Sequence, residues 1–323
     1  MRAHGHHQIG GYFSPDSNTA RIMIMVSQPN LRWLPLILGL IVLLSNTPHA
    51  NANAPEMLNL TLRSRPTSGS NKKDVQHQEV QWDPQKTAVV ICDMWDDHWC
   101  AGAASRVVEL TKPMNKVIAA MRAKGAIIIH APSSVVDYYQ GTPQRVRAQK
   151  APFAKSPISL STSERWGTCW CWPDPNRETD LPIDDSDMGC DCDTKCEIRE
   201  AWTRQINKLQ IAKQDFITDH GQEFFNVLQQ HDIDNIMIMG VHLNMCVLGR
   251  PFGIRQATKL GKNVALVRDL TDSMYNHRKR PFVDHFSGHD LVVEHVERFW
   301  CPSFTSDQLV NGSPHRFAAD KRP

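Results

Sequence analysis

One cysteine, Cys246, stands where a thiol could act as a nucleophile. It follows an apolar run over residues 236–240 that is typical of a buried parallel strand. From Cys246 to Gly261 the apolar side chains are spaced as on one face of a helix. The thiol is therefore expected at a strand-to-helix turn, where unpaired backbone N–H groups would lower its pKa. The alternative is an ordinary buried cysteine, since free Cys is among the most buried residue types.

A thiol nucleophile also needs a base, a positive charge and donors for an oxyanion, and the sequence offers candidates for each. Asp93 ends a buried strand and is suited to act as the general base. Lys213 ends a predicted strand over residues 209–213 and could pair with the thiolate. The backbone N–H groups of His242 and Cys246 flank the predicted turn and could hold the oxyanion. Two structural alternatives stay open, a capping or paired carboxylate for Asp93 and a solvated lysine for Lys213.

Apolar runs separated by turn signals predict an open α/β fold. Strands are predicted at residues 87–92, 126–130, 209–213, 236–240, 263–267 and 289–295, and helices at 107–124, 222–230 and after Cys246. A strand, a helix and a strand at this spacing form a βαβ unit, so the sheet is parallel. Ligands in such sheets bind beyond the carboxyl ends of the strands. Six polar or thiol side chains are predicted at those ends, namely Asp93, His130, Lys213, His242, Cys246 and Asp269.

The first 54 residues have the pattern of a leader with a signal peptide. Eleven apolar residues at 34–44 follow Arg32 and precede a run of small residues. This block is shorter than the ~20 apolar residues that a membrane span needs. A mature chain that starts near Asn53 or Pro55 is therefore expected in the periplasm or outside the cell. A retained membrane anchor is the alternative.

The rest of the chain divides into a main domain with additions. Residues 55–85 contain two alternating runs that predict a β-hairpin or two edge strands, and residues 86–300 form the main domain, followed by a tail at 301–323. Residues 131–208 are rich in Pro, Trp and Cys and are too long for a plain connection. We expect this insertion to form a lid or wall of a pocket, or a contact in a homo-oligomer.

The insertion contains a cysteine cluster of its own. Its five members are Cys169, Cys171, Cys190, Cys192 and Cys196. Their spacings do not match the paired C-x₂-C pattern of zinc sites, and in an exported chain disulfides are favoured over a metal. One of the five stays unpaired unless Cys100 or Cys301 joins them, and the connectivity cannot be deduced from sequence.

The charge distribution bears on partners. The net charge is +2, and Lys and Arg are spread along the chain without a basic block. This pattern argues against a nucleic-acid partner.

Two motifs give the chain a resemblance to the isochorismatase-like cysteine hydrolase superfamily, which includes nicotinamidases, N-carbamoylsarcosine amidases and isochorismatases. They are VVICD at residues 89–93, with a tryptophan soon after, and IMGVHLNMCV at residues 238–247. The resemblance covers about residues 86–296, with 131–208 as an insertion. It implies a three-layer αβα sandwich around a mostly parallel six-stranded sheet.

The resemblance also implies an Asp–Lys–Cys triad and a thioester-type covalent intermediate. By position, Asp93 matches the family aspartate and Cys246 the nucleophile. Lys213 matches the lysine, with Lys208 and Lys195 as further candidates because the insertion blurs the alignment. No cofactor is required for this chemistry.

In the family, a cis peptide bond before the cysteine helps to shape the oxyanion hole. Here it would fall between Val241 and His242. The sequence departs from the family in having Leu243 and Asn244 where Thr-Asp is usual. It also lacks, after His130, the Asp-x-His metal motif of nicotinamidases, which puts nicotinamide in doubt as the substrate.

A metal is a further hypothesis. Asp97, His98 and His130 could converge beside the first two strand ends, and their nitrogen and oxygen donors would suit zinc or iron. The alternative is that His130 is a hydrogen-bonded structural residue.

These patterns together predict an exported cysteine hydrolase that cleaves a small amide or a related C–N bond. Two alternatives remain, an enol-ether hydrolase of the isochorismatase type and a secreted binding protein that has lost turnover. The position of Lys213 distinguishes the binding protein from the two enzymes. If Lys213 does not reach Cys246, the triad is incomplete and the binding protein is favoured.

Overall fold

A computed structural model describes residues 56–67, 74–160, 163–165 and 168–323. The predicted leader and signal peptide, and the side chain of Cys169, lie outside the described residues. Within the described part, no helix is both long and apolar enough to cross a membrane.

Ten strands and five α-helices make up the described chain. In order they are β1 (Leu58–Ser64), β2 (Gln76–Trp82), β3 (Thr87–Cys92), α1 (Ala101–Ala123), β4 (Ile127–Ala131), α2 (Pro143–Gln149), β5 (Ser163–Arg165), β6 (Thr168–Trp170), β7 (Phe216–Ile217), α3 (Gly221–Gln230), β8 (Asn235–Val241), α4 (Ile254–Lys259), β9 (Asn263–Asp272), α5 (His285–Phe299) and β10 (Ser303–Phe304).

Eight of the strands form one sheet in the order β2-β1-β10-β9-β8-β3-β4-β7. The six strands from β10 to β7 are parallel to one another. Strands β1 and β2 extend the sheet beyond β10 as an antiparallel hairpin, and β1 is antiparallel to β10. The predicted parallel six-stranded sheet is therefore confirmed. Strand order reverses between β3 and β8, and such a switch point opens a crevice at the carboxyl ends of the two strands.

Helices cover both faces of the sheet, which gives the predicted three layers. On one face the buried side of α1 packs with Val89 and Ile91 of β3 and with Met237 and Met239 of β8. On the other face, α3, α4 and α5 pack against the alternate residues of the same strands. All residues of β3 and β8 are buried, as expected for central parallel strands covered on both sides.

The predicted strand at residues 289–295 is wrong, because this segment lies in helix α5. The Asp284 side chain caps the helix by accepting from the N–H groups of Phe286 and Ser287. Val292 and Val296 are buried at helical spacing. The run of β-branched residues favoured a strand in the sequence, and packing against the sheet overrode that propensity. The strand that ends the parallel part of the sheet beside β9 is β10. It lies in residues 301–323, which were predicted to be a tail.

Three other element boundaries differ from those predicted. Residues 209–213 are not a strand, and the strand of this region is β7, which starts at Phe216. Helix α1 begins at Ala101 instead of residue 107, and Pro113 lies inside it. The helix expected from Cys246 onward is divided into a short π-helical turn, Leu243–Val247, and α4.

The close approach of β3 and β8 depends on a glycine. Gly240 has a φ of +114°, and a Cβ atom there would lie 2.0 Å from the backbone oxygen of Cys92. A change of side-chain rotamer cannot relieve this clash, because the obstructing atom belongs to the backbone of the neighbouring strand.

We therefore expect Gly240→Ala to lower the free energy of unfolding by more than about 3 kcal/mol, which is at the upper end for single substitutions. Gly261→Ala is the matched control, since Gly261 also has a positive φ (+77°) but open space around it. Its cost should be only about 1–2 kcal/mol, the conformational term alone. Urea unfolding followed by circular dichroism measures both, and equal losses would contradict the argument from the strand contact.

Candidate active site

The two sides of the switch point bring Asp93 and Cys246 together. Cys92 pairs with Gly240 in the sheet, so the segments that follow β3 and β8 leave the sheet side by side. Asp93 is fully buried, and Cys246 is 7% exposed in the π-helical turn. The thiol of Cys246 interacts with the carboxyl group of Asp93. The structure therefore places the predicted base beside the predicted nucleophile.

The Asp93 side chain is fixed by the end of strand β4. The N–H and hydroxyl groups of Ser133 donate to its Oδ1 atom at 2.6 and 2.5 Å. The backbone N–H of Asp93 donates to the carbonyl of Ala131 at 3.1 Å. Within the described chain, Oδ2 makes no conventional hydrogen bond. This second oxygen is therefore available to take a proton from the thiol.

A third charged group, the guanidinium of Arg250, completes the cluster. Arg250 is 1% exposed and interacts with both the Cys246 thiol and the Asp93 carboxyl group. Its backbone N–H donates to the Cys246 carbonyl at 2.9 Å, and its guanidinium lies 5.2 Å from the ring centre of Trp170. The nucleophile and its cation thus come from the same short segment after β8.

The assignment of Lys213 as the cation is wrong. Lys213 is exposed in a turn before β7, at the amino end of a strand whose carboxyl end faces the site. Lys208 and Lys195 are exposed as well, and no lysine in the described ranges is buried. Arg250 was missed because the resemblance directed attention to lysine. Its only sequence signal is a charged residue four positions after the cysteine within the apolar stretch CVLGRPFG.

Burial controls the protonation of the thiol and of its base. Burial raises the pKa of Cys246, the negative charge of Asp93 adds to this effect, and Arg250 opposes it. The expected lowering of the pKa by a helix terminus is therefore wrong, since the π-helical turn is short and the sulfur is desolvated. Burial also raises the pKa of Asp93, against the opposing effects of Arg250, Cys246 and Ser133. At neutral pH the thiol keeps its proton and faces a carboxylate more basic than an exposed one.

The peptide bond between Val241 and His242 is cis, where the resemblance placed it. The His242 ring is buried and lies 5.1 Å from the ring of His98 in an edge-on arrangement. Burial holds the pKa of His242 well below its usual range, and burial lowers that of His98 to about 4. Both imidazoles are therefore neutral at pH 7. The Nε2 atom of His242 has no hydrogen-bond partner in the described structure.

A narrow pocket of about 40 Å³ opens over the thiol. Its walls consist of Trp95, His98, Trp99, Met188, Trp202, His242, Met245, Cys246, Arg250 and Met274. The rings of Trp95 and Trp202 stack with centres 4.2 Å apart and an angle of 9°. Met188 and Trp202 belong to the insertion at residues 131–208, so this segment supplies part of the pocket wall.

The three residues considered for a metal do not converge. Both ring nitrogens of His130 are engaged, by Gln205 at 3.0 Å and by Asp215 at 3.3 Å. Asp97 pairs with Arg199. Among the described residues, the ligand atoms of Asp97, His98 and His130 do not all lie within 4.8 Å of one another. The proposed site of Asp97, His98 and His130 is therefore wrong, and His130 has the structural role that was its alternative.

Asp269 does not belong to the site either. Its carboxylate accepts hydrogen bonds from Ser306 and from the N–H of His315. Strand β9 continues to Asp272, whose carboxylate binds Arg106 at 2.6 Å. The sequence placed the end of this strand too early.

The cysteines of the insertion are not bridged as predicted. Cys171, Cys190, Cys192 and Cys196 are free thiols, as are the other cysteines whose side chains are described. Cys171 lies against Gly249, where its N–H donates to the glycine carbonyl at 2.5 Å. Cys190 and Cys192 instead meet Cys100, and the three sulfur atoms lie within 4.8 Å of one another.

No family model and no curated protein matches the sequence. Similar solved structures include cysteine hydrolases and isochorismatase-family proteins, among them a cysteine hydrolase from Pseudomonas syringae pv. phaseolicola 1448A with 16% identity and a TM-score of 0.44, covering 71% of this chain and 94% of that one.

Two others carry more specific names. An N-carbamoylsarcosine amidase from Thermoplasma acidophilum has 13% identity and a TM-score of 0.37, covering 70% of this chain and 99% of that one. A pyrazinamidase of Pyrococcus horikoshii, solved in complex with zinc, has 14% identity and a TM-score of 0.37, covering 68% and 99%. These values are too low to indicate an activity, which has to be argued from the site.

The contact between Arg250 and the thiol predicts a measurable reactivity. Arg250→Met should slow the alkylation of Cys246 by iodoacetamide about ten-fold or more, because a cation ~4–6 Å away favours the charged thiolate by at least that factor. Arg250→Lys should keep part of the rate. Peptide mapping by mass spectrometry at fixed pH distinguishes the alkylation of Cys246 from that of the other cysteines.

Arg255→Met is the matched control for this experiment. Arg255 is also a buried arginine, but it pairs with Glu178 at 2.8 Å instead of with the thiol. Its replacement should leave the Cys246 rate unchanged. An unchanged rate in folded Arg250→Met protein would show that the guanidinium does not act on the thiol.

Proposed function

We propose that this protein is a cysteine hydrolase that cleaves the C–N bond of a small, uncharged amide. The observation that carries this proposal is the buried cluster of Asp93, Cys246 and Arg250 at the switch point of the sheet. A nucleophile, a base with a raised pKa and a fixed cation lie together beside a pocket, as thiol-dependent acyl transfer requires.

Asp93 and Cys246 divide the first half of the reaction between them. The Cys246 sulfur attacks the carbonyl carbon of the substrate while its proton passes to Asp93. The resulting oxyanion is held by backbone N–H groups, for which those of His242 and Cys246, beside the cis bond after Val241, are the candidates. The C–N bond then breaks as Asp93 returns the proton to the leaving nitrogen, which leaves a thioester.

Water completes the cycle. Asp93, again ionised, accepts a proton from a water molecule that attacks the thioester carbon. The C–S bond breaks, the sulfur regains a proton from Asp93, and a carboxylic acid leaves the pocket. All atoms and electrons are supplied by the amide, water and the side chains, so this sequence of steps needs no cofactor.

Arg250 stabilises charge at both stages. It keeps Asp93 ionised before attack, and it stabilises negative charge on sulfur during proton transfer. A guanidinium remains charged under all ordinary conditions and can face two partners with its planar set of donors. An arginine can therefore fill the role that the resemblance assigns to a lysine.

The pocket walls support an uncharged substrate with an apolar acyl group. Aromatic rings and methionines surround the thiol, and both histidines there are neutral at pH 7. A charged substrate would lose its hydration without gaining a free partner of opposite charge. A small amide with a flat, apolar acyl group fits better, since it can stack along Trp95 and Trp202, and its amide N–H can donate to Nε2 of His242.

The location of this activity is also part of the proposal. The apolar block at residues 34–44 and the small residues after it support export from the cytoplasm. The substrate would then be met in the periplasm or outside the cell.

One rival function is favoured by a specific observation. The structure has an arginine in place of the expected lysine, and burial and Asp93 keep the resting thiol protonated. A secreted binding protein that has lost turnover would retain the same pocket. The two functions differ in one respect, since only the enzyme forms a covalent adduct at Cys246.

Replacing the nucleophile tests the proposal directly. In the full chain, Cys246→Ala should reduce ammonia release from a panel of small aliphatic and aromatic amides to background. Wild-type protein quenched during turnover should carry the acyl group of the substrate as a mass increase on the Cys246 peptide. Cys301→Ala, which changes another buried cysteine, is the matched control and should keep full activity.

Each outcome decides between the candidates. Hydrolysis that persists in Cys246→Ala would exclude the thiol mechanism. Substrate binding by wild type without turnover or adduct, across amides, esters and enol ethers, would instead support the binding protein.

The pH dependence follows from the raised pKa of Asp93. The mechanism needs Asp93 ionised, so kcat/KM should fall as the pH decreases, with a midpoint above the ordinary Asp value of about 3.9. Ser133 donates to the ionised carboxylate and lowers its pKa. Ser133→Ala should therefore move the acid limb to higher pH and leave the rate at pH 7–8 less affected.

Ser306→Ala is the matched control for this shift. It removes a similar hydroxyl-to-carboxylate bond, of 2.6 Å to Asp269, from a different part of the fold. Its acid limb should coincide with that of the wild type. A Ser133→Ala limb that does not move, or that moves to lower pH, would remove Asp93 from the role of base.

A further inference from the structure

Four cysteines outside the proposed active site gather at the start of helix α1. Cys100 is the residue before the first turn of α1, and Cys190, Cys192 and Cys196 come from the insertion about ninety residues later. The sulfur atoms of Cys100, Cys190 and Cys192 lie within 4.8 Å of one another. Cys196 contacts Cys190 and Cys192 through its thiol. We propose that these four cysteines form a structural tetrathiolate site for a zinc ion.

The spacing of the Cys100, Cys190 and Cys192 sulfur atoms fits a tetrahedral metal, with Cys196 beside them as the fourth ligand. Cys100 and Cys192 have their sulfur atoms 3.8 Å apart. In a tetrahedral site with Zn–S bonds of ~2.3 Å, neighbouring sulfurs are about 3.8 Å apart. A disulfide needs about 2.05 Å, so the same pair would have to move together by more than 1.5 Å to oxidise. Four thiolates around one centre select zinc or iron over hard cations.

Backbone N–H groups point at the sulfurs, as they do in the outer shell of thiolate metal sites. Gly102 donates to the Cys192 sulfur at 3.3 Å. The N–H of Ala103 donates to Cys100, and those of Cys192 and Cys196 donate to Cys190. These donors stabilise sulfur that carries negative charge and gain little from neutral thiols.

The start of helix α1 offsets part of the charge of a tetrathiolate centre. Four thiolates and one Zn²⁺ leave a net charge of about −2. The N-terminus of the long helix α1 meets this charge at Cys100. Arg278 donates to the Cys192 carbonyl at 3.2 Å. The Asp191 carboxylate lies 3.8 Å from the Cys100 sulfur, and Arg106 neutralises it by an ion pair of 2.8 Å. Zinc binding would release the four thiol protons to solvent.

The insertion needs such a link because it buries little apolar surface here. Residues 171–204 contain no helix or strand, and residues 193–200 are almost all exposed. The part of this segment that contains the cysteines packs against a small apolar cluster of Trp99, Cys100, Ala103, Cys190 and Met274. Segments that cannot bury enough apolar surface are commonly stabilised by a structural metal.

The position of the site gives it a role in the pocket. Met188 and Trp202, which line the pocket above Cys246, lie on either side of the three insertion cysteines in sequence. A closed four-ligand site at Cys100 would hold both residues in place without touching the substrate. The inference does not rest on the proposed hydrolase activity, since a binding protein would need the same wall.

Metal content of the purified full chain tests the site. Wild type should carry about one zinc ion per chain by inductively coupled plasma mass spectrometry, as a closed structural site requires. Cys192→Ser and Cys196→Ser should reduce this to below about one fifth, since each removes a ligand. Cys171→Ser, Cys301→Ser and Cys246→Ser are matched controls and should keep the metal.

Two measurements on the wild type alone avoid the case in which a ligand variant fails to fold. Cobalt introduced after zinc removal should give the intense absorption of a tetrahedral tetrathiolate centre. Zinc removal by a chelator should also speed tryptic cleavage after two exposed residues, Lys195 between two of the ligands and Arg199 between Cys196 and Trp202, with no change after Lys150.

Several results would overturn the proposal. They are disulfides among these four cysteines in protein prepared with zinc, a reduced protein that takes up no zinc or cobalt, and a cobalt spectrum of octahedral type. Zinc that stays bound in both ligand variants but leaves in Cys246→Ser would assign the metal to the pocket instead.

Discussion

The charge of Arg250 is the constraint on which the centre of this molecule depends. Asp93 is fully buried, and a buried carboxylate without a cation is protonated or costs several kcal/mol. Arg250 has the reverse need, since it too is buried. Each charge stabilises the other, so both groups remain charged beside the Cys246 thiol. This cluster lies at the carboxyl ends of β3 and β8, the neighbouring parallel strands at the switch point of the sheet. The glycine at position 240 allows this approach of the strands.

Residues at strand ends could be predicted from sequence, whereas partners brought by irregular segments could not. Asp93 and Cys246 follow long apolar runs whose ends are plain, and the parallel sheet brings such ends together. Arg250 lies where a regular helix was expected, and only the π-helical turn directs it back toward the thiol. The sequence offered Cys100 and Cys301 equally as partners of the other cysteines. Helix α1, strand β4 and helix α2 separate Cys100 from them in the chain, so only the tertiary structure shows that it joins them.

Polar contacts add to apolar packing in attaching the insertion to the domain. Asp191, within the insertion, binds Arg106 of α1 and His285 of α5, and both of these bind the buried Asp272 at the end of β9. Burial opposes the charge of Asp272, but Arg106 and His285 hold its pKa well below the usual range. One network of four side chains therefore ties the pocket wall to helices from both faces of the sheet.

The same desolvation that makes the thiol weak at rest also protects it. Oxidants attack the thiolate, so a sulfur whose pKa is raised by burial reacts slowly with them. A substrate differs from an oxidant in that it occupies the pocket and places a carbonyl carbon beside the sulfur, so proton transfer to Asp93 is coupled to bond formation. A low thiolate population is thus compatible with catalysis, because the charge develops on sulfur only where Arg250 can stabilise it. Such a site suits a thiol enzyme in an oxidising compartment better than a free thiolate would.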